Sequence, residues 1–454
     1  MTDNKKISLK SCFAITAILI VLVMTVLDVT LVNVALPVMA DAFGMTDSAI
    51  VWVVTIYQLL ITMLLLPVSA YGDIHSYRRS FLVGVAVFTV SSVLCAFSSN
   101  FTMIVVSRGF QGVGAACVMG VNIALTRRIY PREILGRGIA LNSMVIAIAT
   151  AAGPTIAGAI LSVASWHWLF LINLPFGIIA FIIGYRLLPE NPKPAVRRKF
   201  DYISAVGNMV VFGSVFFAFG NFSRGGDRLL SVVLLVVGAV VAIFYVRRQR
   251  KAEVPMFPVD LFRLRLYSLS ILTSVSSFIA QSLAMISLPF LFLGSLGFSE
   301  IETGFLMTPW PLVTMMVAPL SARFVEQHNP GRVAAAGMAV YSLGVISFLF
   351  LSADGVGLQD VVWRMAVCGL GFGMFQTPNN IVMVMATPFE RSGSAGGMQS
   401  TARLIGQTLG ATAVTLVFST GGSVGGNVCT CLVCAAIFGV TAGVFSLSRR
   451  ITAG

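Results

Sequence analysis

Residues 12–37 read CFAITAILIVLVMTVLDVTLVNVALP, an apolar run that holds one charged side chain, Asp28. A helix of about 20 such residues is long enough to cross the hydrocarbon core of a bilayer. A carboxylate near the centre of that helix costs about 2.5 to 3.5 kcal/mol on insertion scales, so an acid in this position indicates a functional site. The run therefore predicts a membrane helix with a proton and cation site at Asp28.

The composition of the whole chain predicts an all-α polytopic membrane protein. Of its 454 residues, 57% are hydrophobic and 10% are charged, and the mean hydropathy is +0.92. These values are incompatible with a solvated globular surface. Apolar runs separated by charged residues or by Pro and Gly predict fourteen spans, at residues 12–37, 48–71, 80–97, 102–126, 138–162, 167–188, 202–221, 229–246, 267–294, 302–322, 333–352, 362–386, 394–419 and 426–447.

The net charge of +13 is explained by where the basic residues fall. If the chain begins in the cytoplasm, nearly all Lys and Arg lie in cytoplasmic loops, and the outer loops keep only Arg224, Arg228 and Arg364 among several acids. This asymmetry follows the positive-inside rule and places both termini in the cytoplasm, with the bacterial inner membrane as the predicted location. It also indicates membrane lipids as partners and argues against nucleic acid.

Two long polar interruptions, at 189–199 and 247–265, divide the predicted spans into six, two and six. We therefore expect an N-terminal six-helix bundle at 1–188, cytoplasmic linkers with a two-helix central insertion at 189–265, and a C-terminal six-helix bundle at 266–454. Paired halves with a binding site near the membrane midplane are typical of secondary transporters.

Motifs in the predicted spans carry a family resemblance. They are Leu27–Pro37, Trp52–Leu59, Arg108–Ala116, Gly153-Pro154 with Gly158, Trp166–Gly177, Gly369–Gly373, Pro378-Asn379 and Arg403–Gly410. Together they resemble the 14-helix drug:proton antiporters of the major facilitator superfamily, over nearly the whole chain. The resemblance implies a major facilitator fold with 14 transmembrane helices (6 + 2 + 6), exchange of a small-molecule substrate for protons, and a monomer.

The resemblance also implies residues that take part in conformational switching, namely Asp73, Arg78, Arg79, Gly153, Pro154 and Gly158. The two glycines and the proline belong to an antiporter motif that is expected to seal the resting state, and a simple packing kink at Pro154 is the alternative. Ser69 and Ser76 stand where the superfamily usually has glycines, so the backbone of the loop after the second span is expected to differ.

Asp28, Arg108 and Gln111 are the candidate residues for coupling protons to substrate. Arg108 and Gln111 are three positions apart on the fourth span, so they share a face from which they can tune Asp28 or relay protons. Protonation of Asp28 would remove the charge that holds a cationic substrate, and this competition is an antiport mechanism in outline. The alternatives are that Asp28 is a hydrogen-bonded packing contact and that Arg108 is structural.

The candidate substrate cavity has polar residues from both halves, namely Asn33, Tyr57, Gln58, Gln399, Arg403 and Gln407. The last three are spaced four positions apart, which aligns them on one face of the thirteenth span. Arg403 argues against a simple cation trap and can equally hold an anionic group.

Enzymes and ATP-driven pumps are not supported by the sequence. No lysine follows the spaced glycines of a phosphate-binding loop, and the three histidines lack metal-ligand spacing, so neither a cofactor nor a metal is expected. The sequence predicts a proton-coupled antiporter that exports lipophilic, cationic drugs or toxic compounds. The alternatives are a proton-coupled transporter of a specific, anionic metabolite and, from a different class, a non-transporting membrane sensor or scaffold.

Overall fold

The computed structural model describes residues 9–130, 135–190, 200–223, 227–252, 255–257, 261–351, 356–385 and 392–449. Within these ranges the regular structure is helical and no strand occurs. Of the basic residues that the sequence predicts for the cytoplasmic side, Lys5, Lys6 and the part of the 186–199 cluster at 191–199 lie outside the described residues.

The first group of helices forms from the apolar runs that precede the predicted insertion. Its members are α1 (Leu9–Phe43), α2 (Asp47–Ile50), α3 (Trp52–Ile74), α4 (Tyr77–Ala96), α5 (Phe101–Ile129), α6 (Leu135–Val163), α7 (Trp168–Leu171) and α8 (Asn173–Leu187). Polar side chains fix where some of them begin. The side chain of Asn100, for example, accepts a hydrogen bond of 2.9 Å from the backbone N–H of Met103 at the start of α5.

Two helices follow, and then a second group. The pair is α9 (Tyr202–Ser223) and α10 (Arg228–Gln249). The second group comprises α11 (Arg265–Phe290), α12 (Glu300–Met307), α13 (Pro309–Gln327), α14 (Pro330–Ser347), α15 (Leu358–Met385), α16 (Ser392–Phe418) and α17 (Val424–Leu447). Helix α12 begins with a capping box in which Ser299 and Glu302 each bond the backbone of the other.

Eleven helical segments of the described chain are long and apolar enough to cross a membrane. Three of the fourteen predicted spans are outside that set. The first is α9, whose apolar part is the shorter segment Tyr202–Ala218. The other two are α15 and α16, which have sufficient length but carry polar side chains, among them Gln376 in α15 and Arg403 in α16.

The two groups share a large buried core toward one end, and a smaller cluster also joins Leu404 of α16 to Ile61 and Leu65 of α3. We call the end where α1 begins and α17 ends the terminal face, and the other end the opposite face. Toward the opposite face, Leu31 and Leu36 of α1 belong to one buried apolar cluster with Leu283 and Phe290 of α11. Toward the terminal face, the first group has a separate cluster that includes Phe81 of α4. The protein is therefore closed between the groups at the opposite face.

The α9–α10 pair packs beside the two groups, and α9 contacts both α3 and α16. Asn208 of α9 donates a hydrogen bond of 2.8 Å to the carbonyl oxygen of Met63 in α3. Arg248 forms an ion pair of 3.0 Å with Asp201. Burial raises the pKa of Asp201, but hydrogen bonds from Arg248 and Ser204, together with the charge of Arg248, outweigh that effect and lower the pKa overall.

Candidate functional site

Asp28 lies in a sealed polar pocket inside the first group of helices. Its side chain is fully buried, and so are those of Arg108 and Gln111 on α5. The pocket is completed by Ser92 of α4 and Asn173 of α8, which are also buried. Five ionic or polar side chains from four helices therefore meet in an otherwise apolar bundle.

Both oxygens of the Asp28 carboxylate are paired. Oδ2 accepts a hydrogen bond from Nη1 of Arg108, and the two side chains form a salt bridge. Oδ1 accepts hydrogen bonds from Nε2 of Gln111 at 2.7 Å and from Nδ2 of Asn173 at 3.4 Å. Gln111 also donates to Oγ of Ser92 at 2.8 Å. Because a buried charge is tolerated only when it is paired and hydrogen-bonded, this set of donors accounts for a charged Asp28 in the bundle.

The guanidinium of Arg108 is fixed from several sides. Its Nε donates to the carbonyl oxygen of Val53 at 3.1 Å, and its Nη1 donates to Oε1 of Gln111 at 2.7 Å. The ring of Tyr57 lies against it, with the guanidinium carbon 4.2 Å from the ring centroid. Nη2 has no hydrogen-bond partner among the described residues. Arg108 is thus held for Asp28, and one of its donor nitrogens, Nη2, is still unused within the described chain.

The sequence predicts three members of this pocket and gives no role to the other two. Asp28, Arg108 and Gln111 are the predicted coupling residues, and the structure brings them into direct contact. Ser92 and Asn173 were not assigned a role. Asn173 offers a signal, since it is an amide at the start of an apolar helix and within a family motif. Ser92 offers none, because serines are common in membrane helices.

A cavity lies between the two groups, next to the Asp28 pocket. Its volume is about 90 Å³, which is below the range usual for drug-sized ligands. Residues of α1, α3, α6, α11, α12, α13 and α16 line it, namely Val29, Thr30, Asn33, Val34, Gln58, Thr150, Pro154, Gln281, Ser282, Met285, Ile286, Met307, Pro311 and Gln407. Asp28 precedes the first of these, so one stretch of α1 carries the ion pair on one side and the cavity wall on the other.

The predicted cavity residues divide into two sets in the structure. Asn33, Gln58 and Gln407 line the cavity. Tyr57 instead packs on Arg108, and it is almost completely buried. Gln399 and Arg403 are outside the lining, two turns and one turn from Gln407 on α16 toward the terminal face.

The predicted switching motif of α6 forms the tightest contact between the two groups. A Cβ atom at Gly158 would lie 2.6 Å from the carbonyl oxygen of Glu300, and one at Gly304 would lie 2.3 Å from the carbonyl oxygen of Pro154. Glycine is needed on both sides because real Cβ atoms do not approach backbone this closely. Gly153 likewise packs against Thr30 of α1. The motif thus lies where α6 meets α12 in the second group and α1 in its own.

The predicted switching loop lies at the terminal face. The hydroxyl of Tyr77 donates to Asp73 at 2.6 Å, while Arg78 forms an ion pair of 3.1 Å with Glu190. The side chain of Arg79 is exposed. Ser76 has an extended backbone and its side chain caps α4 by accepting from the N–H of Arg79 at 3.2 Å. Serine therefore supplies a helix cap where the superfamily usually has glycine.

Comparison with known proteins agrees with this architecture. The model of the Major Facilitator Superfamily matches residues 18–411. The uncharacterised transporter YebQ of Escherichia coli (strain K12) is 47% identical over 439 residues, which cover 97% of this chain and 95% of YebQ. The riboflavin transporter RibZ of Clostridioides difficile (strain 630) is 28% identical over 390 residues, covering 85% of this chain and 84% of RibZ. The multidrug resistance protein Stp of Mycobacterium tuberculosis (strain CDC 1551 / Oshkosh) is 30% identical over 392 residues, covering 86% and 72%.

Solved structures are similar in fold alone. The crystal structure of a POT family transporter in complex with 5-aminolevulinic acid superposes with a TM-score of 0.71. The sequence identity is 14%, and the match covers 96% of each chain. The family match, together with the 47% identity to the transporter YebQ, points to a transporter rather than an enzyme.

Proposed function

Because the chain belongs to the Major Facilitator Superfamily, we propose that it is a proton-coupled antiporter of the 14-helix drug:proton type, which exports small lipophilic compounds. We place it in a bacterial inner membrane with both termini in the cytoplasm. The proposal takes residues 1–188 and 266–454 as the two moving bundles and 189–265 as the insertion between them. The terminal face is then cytoplasmic, so the closed opposite face separates the cavity from the outside.

The Asp28 pocket is the observation that carries the proposal. A carboxylate that is sealed beside a cavity can take up and release protons only if the protein changes shape, as an antiporter requires. Protonation of Asp28 would leave the charge of Arg108 without its counter-ion inside the bundle. Since an unpaired buried charge is unfavourable by about 3 to 5 kcal/mol, the neutral state is expected to favour a different packing of α1 and α5.

Helix α1 connects the pocket to the cavity. Asp28 is adjacent to the lining residues Val29 and Thr30, and Thr30 in turn packs against Gly153 of α6. A shift of α1 that follows protonation would therefore move the cavity wall that contacts the substrate and, at the same time, the helix contact between the two groups. This chain of contacts is a physical basis for coupling, because one element is biased by the proton at one end and by the cargo at the other.

The test is proton movement in proteoliposomes that contain the purified protein and a pH-sensitive dye. A panel of cationic and uncharged lipophilic compounds, each added to one side, should include at least one that drives protons the other way in the wild type, and Asp28→Asn should abolish this exchange. Asp41→Asn is the matched control, since Asp41 is an exposed acid near the end of the same helix. Asp28→Asn/Arg108→Gln removes the unpaired charge and checks that lost exchange is not lost folding. Unchanged exchange in either Asp28 variant would refute the proposed coupling.

A second candidate is proton-coupled transport of a specific, anionic metabolite. Two observations favour it. Nε of Arg403 is buried without a hydrogen-bond partner in the described chain, one turn from Gln407 in the cavity wall. The relatives named above include both a riboflavin transporter and a multidrug resistance protein. A charge-graded substrate panel separates the candidates, since an anion transporter should lose activity in Arg403→Ala and should not exchange cationic dyes.

A further inference from the structure

The cavity wall is rich in primary amides. Asn33, Gln58, Gln281 and Gln407 line it, and they come from both groups of helices. The carbonyl oxygens of Asn33 and Gln58 are buried and have no hydrogen-bond partner among the described residues, and Gln58 is only 3% exposed. An unsatisfied buried acceptor costs about 1 to 3 kcal/mol, so these two groups indicate a ligand that supplies the missing donors.

An amide offers a donor and an acceptor side by side. Rotation about its last torsion exchanges the two, so each of the four side chains can present either group to a ligand. The best complement is a ligand that also carries an adjacent donor and acceptor, as a lactam does with its N–H and C=O.

Charge is missing from the same wall. None of the lining residues that the structure describes is acidic or basic. Asp28 does not compensate, because its carboxylate is occupied by Arg108, Gln111 and Asn173 in the sealed pocket. An ionic ligand would therefore lose its hydration without gaining a counter-charge, and that exchange is unfavourable.

The apolar part of the wall favours aromatic rings. Met285 and Met307 contribute thioethers, which make favourable contacts with ring edges, and Pro154 and Pro311 contribute flat apolar surface. We propose that the cavity binds an uncharged aromatic compound with a lactam-like N–H and C=O pair, held by Asn33, Gln58, Gln281 and Gln407. The inference rests on the proposed transport function and names the chemical class of its cargo.

Three probes of one ring system test the chemistry directly. Phenanthridin-6(5H)-one has the lactam pair, 5-methylphenanthridin-6-one lacks the donor, and 5-methylphenanthridinium is a permanent cation. Binding to the full-length protein in lipid nanodiscs is measured by calorimetry. We expect the lactam to bind about tenfold more tightly than its N-methyl form, equivalent to about 1.4 kcal/mol, and the cation to bind most weakly. A cation that binds as tightly as the lactam would overturn the proposal.

Variants test whether the preference for the lactam comes from the amide side chains that line the cavity. Gln58→Met keeps the length of the side chain and should reduce the tenfold preference for the lactam to about twofold or less. Gln249→Met is the matched control, because Gln249 is buried between α10 and its neighbours, away from the cavity, and it should keep the preference. Gln58→Glu should reverse the order in favour of the cation. If Gln58→Met does not fold, Gln407→Met provides the same readout from the other group, and an unchanged preference in the folded variant refutes the assignment.

Binding and exchange separate this inference from the proposed function. Calorimetry in nanodiscs requires no gradient, so a preference for the lactam without proton exchange in proteoliposomes would refute antiport and leave the inference intact. If the protein exchanges cationic dyes for protons but does not bind the lactam, antiport is supported and the inference about the cargo is refuted.

Discussion

Replacing Gly304 by alanine perturbs the closed contact between α6 and α12. The added Cβ would lie 2.3 Å from the carbonyl oxygen of Pro154 and 2.9 Å from Cα of Gly158, whereas ordinary contact begins at 3.4 Å. Both obstacles are backbone and neither can rotate away. The helices must therefore separate by about 1 Å at this point, or the closed arrangement must be populated less.

The shift in the equilibrium depends on which energetic effects of the new methyl group act only in the closed state and which act in both the open and the closed state. Overpacking of a tight contact costs about 1 to 3 kcal/mol, and here it applies only when the opposite face is closed. Alanine also favours the helix over glycine by about 1 kcal/mol, but this gain is present in the open and closed states and cancels. The ratio of closed to open protein should consequently fall by a factor of about 5 to 150.

Cross-linking across the same contact measures that population. The hydroxyls of Thr155 and Thr308 are 2.5 Å apart on the two sides. A Thr155→Cys/Thr308→Cys protein, with the seven native cysteines replaced, should form its disulfide at a rate proportional to closure. Gly304→Ala should slow the reaction, and Gly443→Ala should not, because a Cβ at Gly443 would meet its nearest atoms at 3.7 Å. Equal rates in the parent and Gly304→Ala proteins would refute the reasoning.

Three further predictions concern single hydrogen bonds and one ion pair. Gln111→Leu should slow proton-coupled exchange about 10- to 150-fold, because a hydrogen bond to a charged group contributes about 1.5 to 3 kcal/mol, as stopped-flow dye measurements can check. Asp201→Asn should reduce the free energy of unfolding at pH 7 by about 0.5 to 1 kcal/mol, because it removes the partly exposed ion pair with Arg248. Since folding lowers the pKa of Asp201, the stability difference between wild type and variant should be complete above about pH 3.9. It should disappear as the pH falls through the lowered pKa of the folded protein, as thermal melts at several pH values can check. Asn208→Leu should free α9 from Met63, a loss of about 1 kcal/mol that hydrogen exchange would detect as weaker protection of α9.

The helices could be predicted because apolar runs and their breaks are local properties of the chain. The ends of the helices are harder to predict. The sequence predicts that the first span ends at Pro37, yet α1 continues through it to Phe43. A proline inside a membrane helix is tolerated when neighbouring groups satisfy the backbone that it frees, and such neighbours cannot be read from the sequence. The predicted span 302–322 is divided for a local reason, since Pro309 begins a new helix.

The Asp28 pocket could be predicted in part because charge inside a membrane span is rare. Rarity singles out Asp28 and Arg108 without any knowledge of packing. The cavity wall is harder, because Tyr57 and Gln58 are adjacent and point about 100° apart on α3. Only the packing of α3 against α5 decides that Tyr57 contacts Arg108 while Gln58 lines the cavity. The same limit applies to Gln281, whose helix position carries no signal that distinguishes it from a lipid-facing glutamine.

Helix α9 lies along the line where α3 meets α16, and it touches both. A lipophilic compound dissolved in the bilayer is therefore screened from the cavity on that flank. On the other flank, α6 meets α13 with no inserted helix among the described residues. Entry from the lipid is consequently expected between α6 and α13. The two flanks of the protein in the plane of the membrane then differ in their access to the cavity, as the two membrane faces do.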